Sequence, residues 1–194
     1  MTTVDIETPA AVDTRQRLID VAVDLFTRHS FAGTSLQMIA DEMGFTKAAI
    51  YYHFRTREEL LSAVVAPMFT RLTDIVDAAE AHRGAHARAD HMLCGYVDLA
   101  VENRALVSVL ATDPSVTTLL RGQPDWAALI NRQLALLAGP EPGPGGLIKA
   151  AVALGGISSA VAPGSVPVDD EDLRRHLLDT GRRTLGLRKK GNRS

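Results

Sequence analysis

A chain of 194 residues is long enough to bury a hydrophobic core in one large or two small domains. Hydrophobic residues make up 46% of it and aromatic residues only 5%, and the abundance of Ala and Leu predicts an all-α fold. The formal net charge of −2 excludes a polycation, so any binding to nucleic acid requires a local basic patch.

The two ends of the chain lack the periodicity of packed elements. Residues 1–12 are predicted to form a disordered arm, and residues 188–194 a basic, disordered tail. The acidic start MTTVDIETPA lacks the basic and apolar segments of a signal peptide, so none is expected. The single cysteine, Cys94, excludes an internal disulfide and is typical of a cytoplasmic protein.

The first predicted helix spans residues 15–29, where apolar side chains recur at helical spacing from Leu18 to Phe26. Arg15 and Arg17 lie near its predicted start, where a positive charge opposes the helix dipole. Two interpretations are open for these arginines: contact with phosphate groups, or ordinary solvated surface charge.

Residues 34–57 predict two short helices joined by a tight turn. Ser35 can cap the first helix, Gly44 follows its last apolar residue, and Thr46 can cap the second. This arrangement is a helix-turn-helix, and its second helix is the one that enters a DNA major groove. Taken alone, a small helical hairpin with a solvated basic face is the alternative interpretation.

The local charge favours DNA over that alternative. No carboxylate occurs between Thr46 and Arg57, whereas the stretch carries Lys47, Arg55 and Arg57. A phosphate backbone attracts a segment of this charge.

At residues 14–66 the sequence resembles the DNA-binding domain of the TetR family of transcriptional regulators. The most specific match is IYYHF at residues 50–54 followed by RTREEL at residues 55–60. Three further matches precede it: FAGTS at residues 31–35, Ile39-Ala40, and Met43-Gly44.

The resemblance implies an all-α protein of about nine helices. Three of them would form a DNA-binding domain at residues 13–66, with the motif at residues 35–54, and residues 67–187 would bind an effector and dimerise. It further implies a cytoplasmic homodimer that binds a near-palindromic operator as a repressor and is released by an unidentified small molecule. No cofactor and no membrane association are implied.

The resemblance also assigns roles to individual residues at the DNA. Residues expected to face bases are Gln37, Lys47, Ala48, Ala49 and Tyr51. Residues expected to hold phosphates are Ser35, Thr46, Tyr52, His53 and Arg57.

A long helix is predicted at residues 56–80, starting with a capping box formed by Thr56 and Glu59. Pro67 lies inside it and predicts a kink, which is either a hinge or a bend around the core. Residues 82–90 are predicted to be a polar connection. Its histidines, with His91, fit a metal site less well than a solvated loop, since no Cys or carboxylate completes a ligand set.

Helices are then predicted at residues 91–111, at residues 115–120, and from about residue 123 to residue 137, followed by a loop over GPEPGPGG at residues 139–146. Polar-tipped and small side chains among these apolar helices are candidates for a ligand pocket. The candidates are Tyr96, Ala100, Asn103 and Trp126. Asn103 could equally cap a turn, and Trp126 could equally belong to the core.

The last two predicted helices cover residues 147–162 and 169–185. The first is apolar nearly all round, so it must be covered on most sides, and its small residues permit close helix approach. The resemblance implies that this pair meets its symmetry mate in a four-helix bundle. Residues expected at that interface are Gly155, Gly156, Ser159, Leu173, Leu177, Gly181 and Thr184.

Two other functions compete with a ligand-responsive repressor. One is a DNA-binding regulator without an effector, whose C-terminal domain only dimerises. The other is an enzyme, but the sequence has no nucleophile elbow, zinc signature or dinucleotide-binding loop, so no catalytic or metal-binding residue is predicted.

Overall fold

The computed structural model describes the backbone of residues 9–187 and the side chains of residues 14–187. The rest of the predicted arm, residues 1–8, and the predicted tail, residues 188–194, lie outside the described residues. The described chain contains ten α-helices and no strand, one helix more than predicted. The helices are α1 (Pro9–Gly33), α2 (Leu36–Met43), α3 (Lys47–His53), α4 (Arg57–Ala81), α5 (Ala85–Glu102), α6 (Arg104–Thr112), α7 (Pro114–Arg121), α8 (Pro124–Ala138), α9 (Pro144–Ala160) and α10 (Asp170–Thr184).

The helices form two compact units, the first ending at Ala66 and the second beginning at Pro67. Helix α4 therefore begins in the first unit and ends in the second. It contains Pro67, as expected, and the predicted kink at this residue stays a prediction. Thr56 caps α4, because its hydroxyl accepts from the Glu59 amide at 3.0 Å, while the Glu59 carboxylate accepts from the Arg55 amide at 2.8 Å.

Helix α1 begins earlier than predicted, so the expectation of a disordered arm is wrong for residues 9–12. Pro9 suits a first helical position because its missing N–H would have no partner there. Arg15 and Arg17 consequently lie beyond the first turn of α1, and their predicted position at the start of the helix is wrong. Arg15 instead lies over the Phe54 ring, 5.3 Å from its centroid.

The core of the first unit forms where α1, α2, α3 and the start of α4 contribute apolar side chains. Helix α2 packs against α1 and α3. Phe26 meets Phe31 edge to face, with 5.3 Å between the ring centroids. The fully buried side chains include Leu18, Phe26, Ile39, Ile50, Phe54, Leu60 and Leu61.

Helix α5 forms the centre of the second unit, packed between α8 and α10, while α9 packs against α6, α8 and α10. Helix α5 begins at Ala85, so the polar connection before it is shorter than the predicted residues 82–90. The predicted helix at residues 91–111 is in fact two helices, because Asn103 leaves helical geometry at φ −123° and ψ 40°. The side-chain amide of Asn103 donates to the Leu99 carbonyl at 2.8 Å, which supports the interpretation that Asn103 caps a turn.

Helix α9 begins at Pro144, so the predicted loop at residues 139–146 is too long by one helical turn. Proline again occupies a first-turn position. None of the helices in the described residues combines the length and apolar character that a membrane crossing requires.

Candidate DNA-binding surface and ligand cavity

Local hydrogen bonds define both ends of α2. The Ser35 hydroxyl accepts from the Met38 amide at 3.1 Å, and so satisfies a donor that has no partner inside the helix. At the other end Gly44 adopts φ 66° and ψ 28°, and its amide donates to the carbonyls of Ala40 and Asp41. A left-handed residue here ends α2 and turns the chain toward α3.

Helix α3 is short and amphipathic. The Thr46 hydroxyl caps it by accepting from the Ala49 amide at 3.3 Å. Ile50 and the following Phe54 are buried and hold the helix on the first unit. The opposite face is therefore free to meet a ligand outside the unit.

The side chains expected to read bases lie on this surface. Lys47, Ala48 and Tyr51 are exposed and Ala49 is partly exposed, with the Lys47 ammonium 5.6 Å from the centre of the Tyr51 ring. Gln37 is exposed on α2, but its amide donates to Asp41 at 2.7 Å. This hydrogen bond uses one of the two amide protons of Gln37 and leaves its carbonyl oxygen for a base contact.

The residues expected to hold phosphates surround the same face. Ser35 and Thr46 are exposed helix caps, and their hydroxyls serve as acceptors for amides. Tyr52 is 84% exposed, an unusual position for a large aromatic side chain. His53 is partly buried, and its ring lies 5.2 Å from that of Tyr52.

Arg57 makes several contacts within the first unit, and its predicted phosphate contact stays a prediction. Its guanidinium donates through one nitrogen to the carbonyls of Phe31, Ala32 and Thr34, at 3.1, 3.1 and 2.9 Å. It also lies 5.1 Å from the centre of the Phe31 ring. These contacts tie the start of α4 to the turn between α1 and α2, so the geometry favours a structural role over a phosphate clamp.

Two acidic side chains near the surface are already engaged. Asp41 accepts from Gln37, and Glu42 pairs with Arg28 at 3.2 Å. Arg28 also pairs with Asp24, and this hydrogen bond is the main cause of its raised pKa. The face of α3 itself carries no carboxylate.

The second unit contains a cavity of about 430 Å³, lined by α4 to α9. Tyr96 and Trp126 line it, as predicted from the sequence, and Trp126 stacks on Phe69 with ring centroids 5.6 Å apart. Ala100 and Asn103 are not among the residues that line it, and their place in a ligand pocket stays a prediction. Ala100 is fully buried in helix packing, and Asn103 is held at the end of α5 by its own hydrogen bond.

Polar groups that the sequence analysis missed also line the cavity. Tyr96 and Ser158 share a hydrogen bond at 2.8 Å, and burial raises the pKa of the Tyr96 hydroxyl. Gln133 is only 2% exposed, and its side-chain nitrogen has no hydrogen-bond partner in the structure. A signal existed in the sequence, because Gln133 lies four residues from both Leu129 and Leu137 on the apolar stripe of α8.

The residues predicted for a dimer interface divide into two groups. Leu173, Leu177 and Gly181 are buried inside the protomer where α10 packs on α5, and their place at a dimer interface stays a prediction. A Cβ at Gly181 would lie 2.7 Å from a Leu93 methyl. Thr184 is partly exposed, and its hydroxyl donates to the Thr180 carbonyl at 3.0 Å.

The other predicted interface residues, Gly155, Gly156 and Ser159 on α9, are exposed. They share that helix with Ile148 and Val152, which are 63% and 60% exposed. Spacings of three and four residues place the five on one side of the helix, which forms an exposed apolar face.

Two capped helices joined by a glycine turn, the second presenting a polar face, define the class of helix-turn-helix proteins. Residues 18–64 match the family model described as "Bacterial regulatory proteins, tetR family". The segment at residues 18–64 is therefore similar to the DNA-binding domain of TetR-family regulators.

Curated relatives agree over the same region. The chain is 43% identical over 54 residues to the HTH-type transcriptional regulator AcrR of Shigella flexneri, which is 28% of this chain and 25% of the relative. It is 40% identical over 52 residues, 27% of this chain and 24% of the relative, to a protein of Escherichia coli (strain K12) named "Probable acrEF/envCD operon repressor". The chain thus spans about a quarter of the length of these relatives.

Similarity of fold extends much further along the chain. A crystal structure of a TetR-family member from Streptomyces coelicolor A3 aligns with 97% of this chain and 94% of its own, with a TM-score of 0.69. The two sequences are 22% identical, so this comparison concerns the fold alone.

Proposed function

We propose that this protein is a sequence-specific, DNA-binding transcriptional repressor. The observation that carries the proposal is the exposed face of α3, held out by the caps at Ser35 and Thr46 and by the Gly44 turn. A short helix with small and basic side chains, free of carboxylates, fits the major groove of DNA. The relative named as an operon repressor supports repression as the mode of action.

The roles of individual residues follow from their exposure. Lys47 and Tyr51 are long enough to reach base edges, and Ala48 lets the helix backbone approach them. Tyr52 and the cap hydroxyls of Ser35 and Thr46 bind phosphates, which position the helix without reading sequence. Arg57 stabilises the first unit by joining the start of α4 to the end of α1.

The exposed apolar face of α9 supports a homodimer. Ile148 and Val152 would be desolvated by a partner, and Gly155 and Gly156 would let its helix approach closely. A dimer also suits the DNA, since one recognition helix buries too little surface for tight specific binding and two-fold symmetry doubles it.

The cavity supports control by a small-molecule effector. Its volume lies in the range of about 300–1,000 Å³ that small-molecule sites occupy. Met68 and Leu72 of α4 line it, and the same helix carries Arg57 at its start. A ligand that displaces α4 in the second unit would therefore act on a helix that also belongs to the DNA-binding unit.

Selection from a random double-stranded DNA library tests the proposal. We expect enrichment of a near-palindromic site whose half-sites lie one helical turn, about 34–36 Å, apart. Binding of the enriched site should weaken steeply with salt, as phosphate contacts require. Failure to enrich any sequence over an unselected library would contradict the proposal.

A further inference from the structure

The lining of the cavity in the second unit favours uncharged ligands. Its lining is predominantly aliphatic and aromatic, and none of the described residues that line it is acidic. Arg121 is the sole charged residue among them, and it is exposed, as is Asn131, so both lie where the cavity opens to solvent. An ammonium group inside this cavity would lose its hydration without gaining a counter-ion.

The hydroxyl protons in the cavity wall are already used. The Ser158 hydroxyl donates to the Leu154 carbonyl at 2.9 Å, so Tyr96 donates the proton it shares with Ser158. The Thr117 hydroxyl lies 3.0 and 3.3 Å from the carbonyls of Asp113 and Leu110. Neither Tyr96 nor Thr117 therefore has a proton left for a ligand.

Gln133 is different. It lines the cavity, it is almost fully buried, and its side-chain nitrogen has no partner. A buried donor without an acceptor is costly, and native structures rarely keep one without a functional reason. A ligand oxygen in the cavity would supply the missing acceptor.

We propose that the cavity binds an uncharged, largely apolar molecule whose carbonyl-type oxygen accepts a hydrogen bond from the side-chain nitrogen of Gln133. This rests on the effector cavity of the proposed function and specifies its ligand class. A buried carboxylate fits less well, because one neutral donor does not offset its desolvation. A cation also fits less well, because none of the described lining residues is acidic and its desolvation is not offset by a counter-ion.

Three naphthalene probes of nearly equal shape test the ligand class: 2-acetylnaphthalene, 2-ethylnaphthalene and 1-(2-naphthyl)ethylammonium. They differ only in a carbonyl, a methylene or a charged substituent. Calorimetry measures their affinity, and the single tryptophan, Trp126, reports by its fluorescence whether they enter the cavity that it lines. We expect the ketone to bind about tenfold tighter than the hydrocarbon, equivalent to ~1.4 kcal/mol, and the ammonium to bind weakest.

The variant Gln133→Met keeps the approximate shape and removes the donor. We expect it to bind ketone and hydrocarbon equally, with hydrocarbon affinity close to that of the unmodified protein. The free variant should also melt at a higher temperature, because it no longer buries an unpaired amide. A purely structural glutamine would give the opposite shift in melting. Gln123→Met, at an exposed glutamine outside the cavity, is the matched control and should retain the ketone preference.

Four outcomes would overturn the proposal: equal binding of ketone and hydrocarbon, tightest binding of the ammonium, a ketone preference that survives Gln133→Met, or no binding by any probe. DNA binding by the same preparations separates this failure from that of the proposed function. Intact operator binding without probe binding rejects only the ligand site. Ketone binding without DNA binding rejects only the regulator.

Discussion

Arg57 is predicted to contact DNA, but its guanidinium forms hydrogen bonds within its own protein. This guanidinium donates to three carbonyls at the C-terminal end of α1 and the following Thr34, next to a kink in α1 where Ser30 has a φ of 63°. A non-glycine residue in that region is strained, so the kink needs support. Thr34 adds to it, since its buried hydroxyl lies 2.8 Å from the Ser30 carbonyl.

We therefore predict that Arg57→Ala lowers the free energy of unfolding by about 2 kcal/mol, the range for lost hydrogen bonds from a charged donor, here to partly buried carbonyls. Operator affinity should fall for all sequences, while its salt dependence stays unchanged. Urea unfolding and binding at several salt concentrations measure both. Arg55→Ala, at an exposed arginine two residues away, should leave stability unaltered. A salt slope flatter by about one unit in Arg57→Ala would instead identify Arg57 as a phosphate contact.

Lys47 tests the proposal that exposed side chains of α3 contact bases. It is exposed at the first position of α3. Lys47→Ala should change the enriched operator sequence at one position of each half-site and cost about 1–3 kcal/mol on the original site. Lys149→Ala, in α9 and paired with Glu141, is the control and should keep the original preference. Equal weakening on every sequence would show that Lys47 contacts phosphate only.

At the scale of elements, α9 and α10 have different partners. Helix α10 buries its leucines against α5 of the same chain, and ion pairs reinforce this contact, such as Arg174–Asp98 at 2.7 Å and Arg182–Asp90 at 2.6 Å. Among the described residues, none covers the apolar face of α9, where Ile148 and Val152 are exposed. An interface built on α9 therefore predicts opposite effects for two glycines.

Gly156→Arg should give a folded monomer that no longer binds the operator. A Cβ at Gly156 meets no atom within 4 Å, so the protomer tolerates a side chain there while a partner helix does not. Gly181→Arg should destabilise the fold strongly, because it would force a long charged side chain into the buried contact with Leu93. Sedimentation velocity and circular dichroism distinguish these results. A folded, fully dimeric Gly156→Arg protein would place the interface elsewhere.

Arg132 links α8 to the end of α4. It pairs with Asp77 at 2.6 Å and Glu80 at 2.7 Å, and its hydrogen bond is the main cause of the lowered pKa of the Glu80 carboxyl. A carboxyl whose pKa is lower in the folded state stabilises above its unfolded pKa of about 4.3, and this contribution is lost as pH falls through the folded value.

Arg132→Met should therefore unfold at a slightly lower temperature than the unmodified protein at pH 7, and the difference should shrink below pH 4. The effect is small because the side chains are exposed and solvent screens the pair. Thermal melts across that pH range measure it. Arg183→Met, at an exposed arginine of α10, is the control. A difference that grows as the pH falls would contradict the assigned role of Glu80.

For the whole molecule, the proposed function requires that the cavity and the DNA-binding face be coupled. Addition of 2-acetylnaphthalene should lower operator affinity about tenfold, which needs only ~1.4 kcal/mol of differential binding between two states. Ala127→Trp should fill the cavity and abolish the response. Ala128→Trp, at the next and exposed position, should retain it. Operator titrations with and without the probe measure the change; a response that persists in Ala127→Trp would exclude this cavity.

The sequence by itself determined the helical class, the capped helix pair and the turn at Gly44. These features depend on hydrogen bonds between residues at most five positions apart, such as Ser35 to Met38, so a short segment contains all the information. The resemblance at residues 14–66 is dense for the same reason.

Only the tertiary structure decided the contacts that join distant segments. Arg57 reaches Phe31 across 26 positions, Gly181 lies against Leu93, and Gln133 faces a cavity whose other walls come from five further helices. Periodicity shows that a helix face is apolar, but the same pattern suits a core, a cavity or a subunit interface. The packing between helices decides which of these three a given apolar face forms. That packing buries Leu173 and Leu177 of α10 and leaves the apolar face of α9 exposed.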